Sequence, residues 1–448
     1  MNKLLNFPYK HILVLGLAKS GTAAAYTLLK NNKKVRVNDL STEQENIIIE
    51  LKQMGAEVIV GSHPLSVLDD IDLIMKNPGI PYSNPVLEEA EKRKIPIVTE
   101  IELASYFAND SIIGITGSNG KTTTTMLIGE MLSKGDHSSK VAGNIGVVAT
   151  DIATKLKKNE EMVLELSSFQ LQGTIDFKPK IAVLLNIFEA HLDYHQTFEN
   201  YTNAKSNVFK NQTSGDYLVY NADNPTVSEV VKEAHSIKVP FSTSKKLENG
   251  AWVMKDSLYF KNEKIIDIRD ILLVGKHNIE NILAAISTVK LLHISNEAIR
   301  EVLTTFTGVK HRLQYVESIN GRLFYNDSKA TNILATEKAL TSFRQPIILL
   351  AGGLDRGNGF SELKNSLDHV RAIVVFGETA NKLKETAQEA NIPIIKNAEN
   401  VKEAAKIAYQ ISNEGDVILL SPACASWDQY RTFEERGDMF IQAVHTLK

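Results

Sequence analysis

Short apolar runs alternate with helical patterns along most of this chain, and this alternation narrows the possible folds more than any other feature. The runs are three to five residues long, rich in β-branched side chains, and followed by apolar residues at helical spacing. Strands that alternate with helices form βαβ units, whose strands run parallel. The sequence therefore predicts an α/β fold with mostly parallel sheets. The predicted strands are His11–Leu15, Val35–Val37, Glu57–Val60, Leu73–Met75, Ile112–Ile115, Met162–Leu166, Ile181–Leu185, Arg322–Tyr325, Pro346–Leu350, Ala372–Phe376 and Asp416–Leu420.

The length of 448 residues predicts about three domains. A polar stretch near Ala108–Ser111 precedes a new strand, and Gly308–His311 follows a helix-rich stretch. These two boundaries predict domains over 1–108, 109–308 and 309–448. The polar region Ser242–Ile268 is interpreted as an insertion in the middle domain, with short hairpin strands at Trp252–Met254 and Leu258–Phe260.

The charge balance argues against two classes of partner. Fifty Lys and Arg residues face 53 Asp and Glu residues, so no basic excess predicts binding to nucleic acid or to an anionic membrane. No run reaches the ~18 apolar residues of a membrane span, and the N-terminus does not resemble a signal peptide. Cys424 is the single cysteine, which excludes a disulfide framework and fits a reducing compartment. We therefore expect a cytoplasmic protein, most simply a monomer.

A glycine-rich loop at Gly114–Thr122, reading GITGSNGKT, is the strongest motif. It follows a predicted strand and begins a predicted helix, the context in which backbone N–H groups and the helix dipole bind phosphate. Lys121 is expected on the β- and γ-phosphates and the Thr122 hydroxyl on Mg²⁺. The loop departs from the general P-loop pattern at Ile115, where that pattern has glycine. The motif predicts ATP binding without specifying a reaction.

A second glycine-rich turn spans Gly16–Gly21, between a strand and a helix, and Asp39 ends the next strand. It resembles a dinucleotide fingerprint with Ala18 at the middle glycine position. Three interpretations remain open: a plain βαβ turn, an NAD site, or a site for another nucleotide-diphosphate group. The loop Asn77–Ile80 follows a strand and could close over such a ligand.

Motifs spread over nearly the whole chain resemble those of the Mur ligase family, in the family's order. They are Thr116–Thr122, Gly143–Gly146, Glu165–Gln170, Asn186–Asp193, Lys205, Gly275–Asn278, His311–Arg312, Asn326–Asn332, Ser421–Tyr430 and Phe433–Gly437. The turn at Gly16–Gly21 and the Ser421–Tyr430 loop are most similar to the D-glutamate-adding branch of the family. The resemblance implies a Rossmann-like N-terminal domain for a UDP-linked substrate, a central P-loop domain for ATP, and a Rossmann-like C-terminal domain for the amino acid.

The family's reaction, as the resemblance implies, joins the carboxylate of UDP-N-acetylmuramoyl-L-alanine to the amine of D-glutamate. ATP first phosphorylates the carboxylate to an acyl phosphate, and the amine then displaces phosphate through a tetrahedral intermediate. This chemistry crowds anions together, so it needs metal ions, cationic side chains and fixed backbone N–H groups. Because the predicted phosphate contacts come from different domains, closure is expected during the reaction.

The resemblance assigns catalytic and metal-binding roles. The catalytic residues would be Lys121, Glu165, His191, Lys205 and Lys329. Mg²⁺, expected as two ions, would be held by Thr122, Glu165, His191 and Lys205. The family's lysine at position 205 is carbamylated, which requires a site that lowers the lysine pKa. From the residues alone, Lys205 would be interpreted as a surface lysine.

The resemblance also assigns the ligand-binding residues. ATP would contact Gly117, Ser118, Asn119, Gly120, Lys121, Thr122, Thr123, Asn278, Asn281, His311, Arg312 and Asp327. The UDP-linked substrate would contact Leu17, Ala18, Lys19, Ser20, Asp39, Asn77, Gly79, Asn144 and Ser167. D-glutamate would contact Thr331, Arg356, Ser426 and the backbone N–H of Phe433. Arg356 departs from the family pattern, which has lysine there. Cys424, Trp427 and Tyr430 are expected to be packing residues.

Three alternatives are weighed against this hypothesis. Within the family, the chain could add a different amino acid, or it could be a folylpolyglutamate-type ligase. A non-catalytic P-loop module would need neither Glu165 nor His191. An NAD-linked oxidoreductase would not need Lys121 or Thr122.

Overall fold

The computed structural model describes residues 2, 4, 6–108 and 111–447. The chain forms two compact units: the first contains Met1–Ile268 and Ile279–Val302, and the second contains Arg269–Asn278 and Leu303–Lys448. Within the described residues the strands form three sheets, two in the first unit and one in the second. The predicted α/β fold with mostly parallel sheets is confirmed. The predicted boundary at residues 109 and 110 lies outside the described residues.

The first sheet has five parallel strands in the order β3-β2-β1-β4-β5. Its strands are β1 His11–Leu15, β2 Lys34–Asp39, β3 Glu57–Val60, β4 Leu73–Lys76 and β5 Ile97–Val98. Its helices are α1 Lys19–Lys30, α2 Glu45–Gln53, α3 Pro85–Lys92 and α4 Glu100–Ala108. The chain order reverses between β1 and β4, which is where open α/β sheets bind ligands. The Gly16 turn and the Asn77–Ile80 loop therefore lie beside each other.

The middle sheet has nine strands in the order β14-β13-β12-β11-β10-β9-β6-β8-β7. They are β6 Ile112–Thr116, β7 Ser139–Gly143, β8 Glu161–Glu165, β9 Ile181–Leu184, β10 Tyr217–Asn221, β11 Ile237–Ser242, β12 Ala251–Met254, β13 Ser257–Phe260 and β14 Glu263–Asp267. Its helices are α5 Lys121–Lys134, α6 Ala149–Ala153, α7 Ser168–Gln172, α8 Leu192–His195, α9 Phe198–Ser206 and α10 Pro225–Val230. Because β6 lies between β8 and β9, the loops that follow these three strands converge at one edge. The predicted insertion is an antiparallel extension of the sheet.

Two helices follow in the chain, α11 Lys276–Leu291 and α12 Asn296–Thr305. The third sheet then has six strands in the order β15-β16-β20-β17-β18-β19. They are β15 Gln314–Ile319, β16 Arg322–Asn326, β17 Ile347–Gly352, β18 Val370–Phe376, β19 Ile394–Asn397 and β20 Val417–Leu420. Helices α13 Ile333–Leu340, α14 Ala380–Glu389, α15 Val401–Ile411 and α16 Phe433–His445 complete this unit. β15 is antiparallel, and the loops after β16, β17 and β20 meet at one edge.

The central strands explain why the predicted strands match the structure so closely. Every residue of β1, β6, β17 and β20 is buried, as expected for parallel strands covered by helices on both faces. Their apolar runs are therefore continuous rather than alternating. No helix in the described part of the chain has both the length and the apolar character needed to cross a membrane.

Candidate active site

The phosphate loop joins β6 to α5 through a left-handed residue. Gly120 is the N-cap of α5 with φ of 85°, and a Cβ there would lie 2.1 Å from the Asn281 side-chain oxygen. Only glycine combines this dihedral with such a close approach. The structure thus brings Asn281, predicted to contact ATP, against the loop.

Asn186 braces the loop from the end of β9. Its Oδ1 accepts from the Asn119 N–H at 2.8 Å, and its Nδ2 donates to the Asn119 carbonyl at 3.2 Å. Its own carbonyl accepts from the Ser118 N–H at 2.9 Å. Asn186 begins the motif Asn186–Asp193, but no role was predicted for it. The signal that could have identified it is its position two residues after β9, a buried strand that neighbours β6.

Two lysines converge on one carbonyl of the loop. Lys121 Nζ donates to the carbonyls of Gly117 at 2.8 Å and Ser118 at 3.1 Å, and Lys205 Nζ also donates to the Gly117 carbonyl at 2.8 Å. Lys205 is only 1% exposed, with its Nζ 4.8 Å from the ring centroid of Tyr201. Burial, followed by the charge of Lys121, holds the pKa of Lys205 well below its ordinary value. The interpretation of Lys205 as a surface lysine, which the residues alone suggested, is therefore wrong.

Glu165 ends β8 with one carboxylate oxygen uncompensated. The residue is 1% exposed, and its Oε1 accepts from Asn144 Nδ2 at 2.9 Å. Its Oε2 is buried and has no hydrogen-bond partner among the described residues. A buried, unpaired carboxylate oxygen is costly unless a cation compensates it. An oxygen ligand of this kind suits Mg²⁺, so the residue fits the predicted metal site.

His191 lies in an aromatic cluster beside the loop. It is the N-cap of α8 with φ of 55°, and its ring centroid lies 5.0 Å from that of Phe169 and 6.3 Å from that of Tyr201. The Tyr201 hydroxyl is 2.9 Å from Ser118 Oγ. Thus His191, Lys205 and the phosphate loop share Tyr201 as a neighbour. Within the described ranges, no group of three His, Cys, Asp or Glu side chains is placed to hold a metal ion. The predicted Mg²⁺ site therefore needs Thr122 and Lys205 as ligands in addition to Glu165 and His191.

His195 also belongs to this cluster and had no predicted role. Its Nε2 is 2.9 Å from Ser168 Oγ, and its ring stacks on Phe169 with centroids 5.4 Å apart. Burial lowers the pKa of His195 to about 4, so the ring is neutral at physiological pH. Ser167, predicted to contact substrate, forms a capping box with Gln170 at the start of α7.

The predicted substrate residues of the first sheet include two hydrogen-bonded groups at the turn after β1. The Asp39 carboxylate accepts from the Leu17 N–H, which fixes the turn after β1. Asn77 Nδ2 donates to Ser20 Oγ at 3.2 Å, and Asn77 Oδ1 accepts from the Gly79 N–H at 3.1 Å. A cavity of about 710 Å³ adjoins this turn and includes Leu17, Ala18 and Lys19 in its lining.

A buried lysine holds the Asn77–Ile80 loop in place. Lys76 is 1% exposed, and its Nζ donates to the carbonyls of Asn77 at 3.3 Å, Pro78 at 3.1 Å and Ile80 at 2.9 Å. It also contacts the Tyr194 hydroxyl at 3.1 Å. Sequence reasoning missed Lys76, because it ends an apolar run and gives no motif of its own.

In the second unit, Asp327 and His311 lie at the end of β16. Asp327 accepts from the Leu313 N–H at 3.1 Å and from Ser421 Oγ at 2.9 Å. Burial raises the pKa of Asp327 to about 7. His311 Nδ1 is 3.0 Å from Asn326 Nδ2, and burial lowers the His311 pKa.

A cleft of about 350 Å³ in the second unit contains part of the predicted amino-acid site. Thr331 and Arg356 line it, together with Thr379 and Cys424. Ser426 comes directly after a lining residue, but it is 2% exposed. Phe433 begins α16, and its ring centroid is 5.6 Å from Lys329 Nζ.

Trp427 departs from its predicted packing role. It is 65% exposed, and the Arg356 guanidinium carbon lies 5.1 Å from its ring centroid. The prediction that Trp427 packs in the interior is therefore wrong. Cys424, by contrast, is 4% exposed, as expected for a packed small residue.

The fold and the loop geometry define an α/β P-loop protein with a cationic phosphate cradle beside a buried carboxylate. Three family profiles match the chain: a MurD-like N-terminal domain over residues 10–99, a Mur ligase middle domain over 115–289, and a Mur ligase glutamate ligase domain over 311–424. The chain belongs to the Mur ligase family.

Relatives match over the full length. The UDP-N-acetylmuramoylalanine–D-glutamate ligase of Oceanobacillus iheyensis is 62% identical, and that of Bacillus cereus strain G9842 is 57% identical, with 100% of each chain covered. Solved structures share the fold at low identity. UDP-N-acetylmuramate-alanine ligase MurC from Thermotoga maritima is 18% identical, with a TM-score of 0.58 and coverage of 98% of this chain and 100% of that one. MurF ligase from the same organism, in complex with ADP, is 19% identical, with a TM-score of 0.56 and coverage of 93% and 96%.

Proposed function

We propose that this chain is an ATP-dependent ligase that joins D-glutamate to UDP-N-acetylmuramoyl-L-alanine in peptidoglycan precursor synthesis. The observation that carries the proposal is the phosphate loop at Gly117–Thr122 beside the uncompensated carboxylate oxygen of Glu165. The full-length relatives at 57–62% identity, which are named for this reaction, support the choice of substrates.

The phosphate loop serves the first step. Its backbone N–H groups and the α5 dipole bind the triphosphate, and Lys121 neutralises charge that develops on the γ-phosphoryl group. The substrate carboxylate attacks the γ-phosphorus, the bond to the β-phosphate oxygen breaks, and ADP leaves. Mg²⁺, held by Thr122, Glu165, His191 and a modified Lys205, would supply charge neutralisation at two positions.

The second unit serves the second step. The amine of D-glutamate attacks the acyl carbon, and inorganic phosphate leaves from the tetrahedral intermediate. Thr331, Arg356, Ser426 and the Phe433 N–H bind the two carboxylates of the amino acid, and Lys329 binds the leaving phosphate. Asn278, His311, Arg312 and Asp327 bind the nucleotide.

The first sheet binds the UDP part of the acceptor. The turn residues Leu17, Ala18, Lys19 and Ser20 begin α1, where anions are favoured. Asp39, Asn77 and Gly79 flank the same turn, and Asn144 and Ser167 lie near the acyl end. The proposal includes domains over 1–108, 109–308 and 309–448, a monomer, and a cytoplasmic location.

Lys205 is proposed to be carbamylated. Its neutral amine attacks CO₂, a C–N bond forms, and one proton is released, which leaves a carboxylate. The low pKa that burial imposes on Lys205 favours the neutral amine that this reaction needs. Lys205→Ala should lose at least about tenfold in kcat and recover part of it with added acetate or formate. The control is Lys210→Ala on an exposed lysine. Full activity of Lys205→Ala without any added acid would contradict the carbamylation.

An amine panel tests the reaction itself. Release of ADP and formation of the amide are measured with UDP-N-acetylmuramoyl-L-alanine and D-Glu, L-Glu, D-Ala or L-Lys in separate assays. Coupled turnover with D-Glu alone is expected. Turnover with another amino acid would keep the family and change the substrate, and ATP binding without any amide would point to a non-catalytic module.

A further inference from the structure

Arg356 and Trp427 form an exposed cation–π pair at the cleft of the second unit. The guanidinium carbon lies 5.1 Å from the ring centroid, and Arg356 lines the 350 Å³ cleft. An indole that is 65% exposed gives up the burial that normally favours tryptophan. The pair therefore calls for an explanation other than packing of the interior.

Asp355, which precedes Arg356 in sequence, and Glu378 make other contacts. Asp355 pairs with Lys382 at 2.8 Å and accepts from the Gly357 N–H at 2.8 Å. Glu378 accepts from the Asp355 N–H at 3.0 Å. Glu362 lines the same cleft and is the remaining acid there. Within the described residues no carboxylate lies within ion-pair distance of Arg356, and its guanidinium lies beside the Trp427 indole.

The geometry of a guanidinium makes this arrangement useful. A guanidinium stacks on an aromatic face through its own plane, which leaves its N–H edges available for a carboxylate. A lysine ammonium has no plane to stack and no such fork. Arginine at this position therefore supplies a fork of N–H donors that lysine, the residue of the family pattern, does not have.

We propose that Trp427 is a positioning residue that presents the Arg356 guanidinium to a carboxylate of the incoming amino acid, and so sets the affinity for that substrate. The inference rests on the proposed function, since it needs the cleft to bind an amino acid with two carboxylates. It adds a determinant of amino-acid affinity at a residue that the sequence assigned to packing.

The first test compares KM values across four variants. Trp427→Leu should raise the KM for D-glutamate roughly two- to fivefold, while the KM values for ATP and the UDP-linked substrate stay unchanged. Trp427→Phe keeps an aromatic face and should lie closer to wild type. The other two variants are Arg356→Lys and the double variant Trp427→Leu/Arg356→Lys. The effects of the two single changes should be less than additive, because both act on the same cation–π contact.

The second test measures the fluorescence of Trp427. If the role of Trp427 were only structural, its emission would not change when D-glutamate binds. Trp252 is the only other tryptophan, so a Trp252→Phe enzyme reports on Trp427 alone. Adding D-glutamate to this enzyme, with the UDP-linked substrate and a non-hydrolysable ATP analogue, should shift its emission, while L-glutamate should not.

The outcomes separate this inference from the proposed function. The positioning role would be overturned if Trp427→Leu raised the KM values for all three substrates equally, or if the effects of Trp427→Leu and Arg356→Lys were fully additive. It would also be overturned if Trp427 emission stayed unchanged at saturating D-glutamate. If the amine panel identifies another amino acid as the substrate, the same fluorescence titration with that amino acid still tests whether Trp427 positions Arg356. A shift there supports the positioning role even though the proposed substrate has failed, and unchanged emission overturns both.

Discussion

Lys76 shows how one buried charge can organise a loop. Its ammonium donates to three carbonyls of the Asn77–Ile80 segment. The Tyr194 hydroxyl contacts the same segment and lies 3.1 Å from the Pro78 carbonyl. No carboxylate among the described residues is within ion-pair distance of Lys76. Burial consequently lowers its pKa to about 7.

Lys76 should make stability depend on pH in a defined window. The folded-state pKa of about 7 lies below the ordinary value of 10.5, so between these values the unfolded chain binds one more proton. The free energy of unfolding of wild type, relative to Lys76→Met, should therefore rise with pH from 7 towards 10 and stay flat below 7. The upper limit is about 1.4 kcal/mol per pH unit, reduced by the carbonyls that favour the ammonium.

Urea unfolding at pH 6, 7, 8 and 9 measures this difference. Lys92→Met on a side chain that is 72% exposed is the matched control, and its difference from wild type should not vary with pH. Parallel pH curves for wild type and Lys76→Met would refute the assignment.

At the same scale, Lys205 and Trp427 are two residues whose surroundings could not be predicted from the local sequence. Nothing local distinguishes a buried lysine in a polar helix from an exposed one, because its burial comes from a loop 88 positions earlier in the chain. The family resemblance supplied what the local pattern could not. For Trp427 the error went the other way, since tryptophan is buried on average and the cation beside it is distant in sequence.

At the scale of the elements, Arg436 of α16 links three loops that carry predicted site residues. It is fully buried and donates to the Ser328 carbonyl at 2.9 Å, the Cys424 carbonyl at 3.1 Å and the Gly352 carbonyl at 3.3 Å. Its Nε also donates to Ser328 Oγ at 3.0 Å. Ser328 and Cys424 lie in the loops after β16 and β20, and Gly352 is the last residue of β17, where the third loop begins. The three strands are neighbours at the centre of the sheet.

Arg436→Lys should remove some of the hydrogen bonds that hold these three loops together. Lysine keeps the charge but presents a single nitrogen, so at least one buried carbonyl loses its partner, at a cost of about 1–3 kcal/mol in unfolding free energy. We expect kcat/KM for D-glutamate to fall at least about tenfold, because a misplaced binding loop costs transition-state contacts. Arg431→Lys on an exposed arginine is the control and should match wild type in both measurements. Wild-type kcat/KM in Arg436→Lys would show that the loops hold their positions without it.

Sequence reasoning found the strands that are buried along their whole length. β1, β6, β17 and β20 read as continuous apolar runs and were predicted. β15 and β19 lie at the edges of the third sheet, carry half-exposed polar residues, and were missed. An edge strand lacks one neighbour, so its sequence need not be apolar on both faces.

At the scale of the molecule, helix α4 joins the first sheet to the middle sheet within the first unit. Glu102 of this helix accepts from the N–H groups of Ile175, Asp176 and Phe177, and Glu100 accepts from the Thr150 N–H at the start of α6. One hydrophobic cluster runs through residues of both sheets. The first two sheets should therefore unfold in one cooperative transition.

Glu100 provides a test of this coupling through pH. Burial raises its pKa to about 7 from an ordinary 4.5, so the folded chain holds a proton that the unfolded chain has lost between these values. The stability it contributes is present at low pH and is lost as pH rises through 7, by at most about 1.4 kcal/mol per unit. Glu100→Gln imitates the protonated form, so wild type should lose stability relative to Glu100→Gln between pH 5 and pH 7.5, in a single urea transition of the first unit. The exposed Glu91→Gln should show no such trend. A trend confined to one of two separate transitions would mean that Glu100 stabilises its own helix without coupling the two sheets.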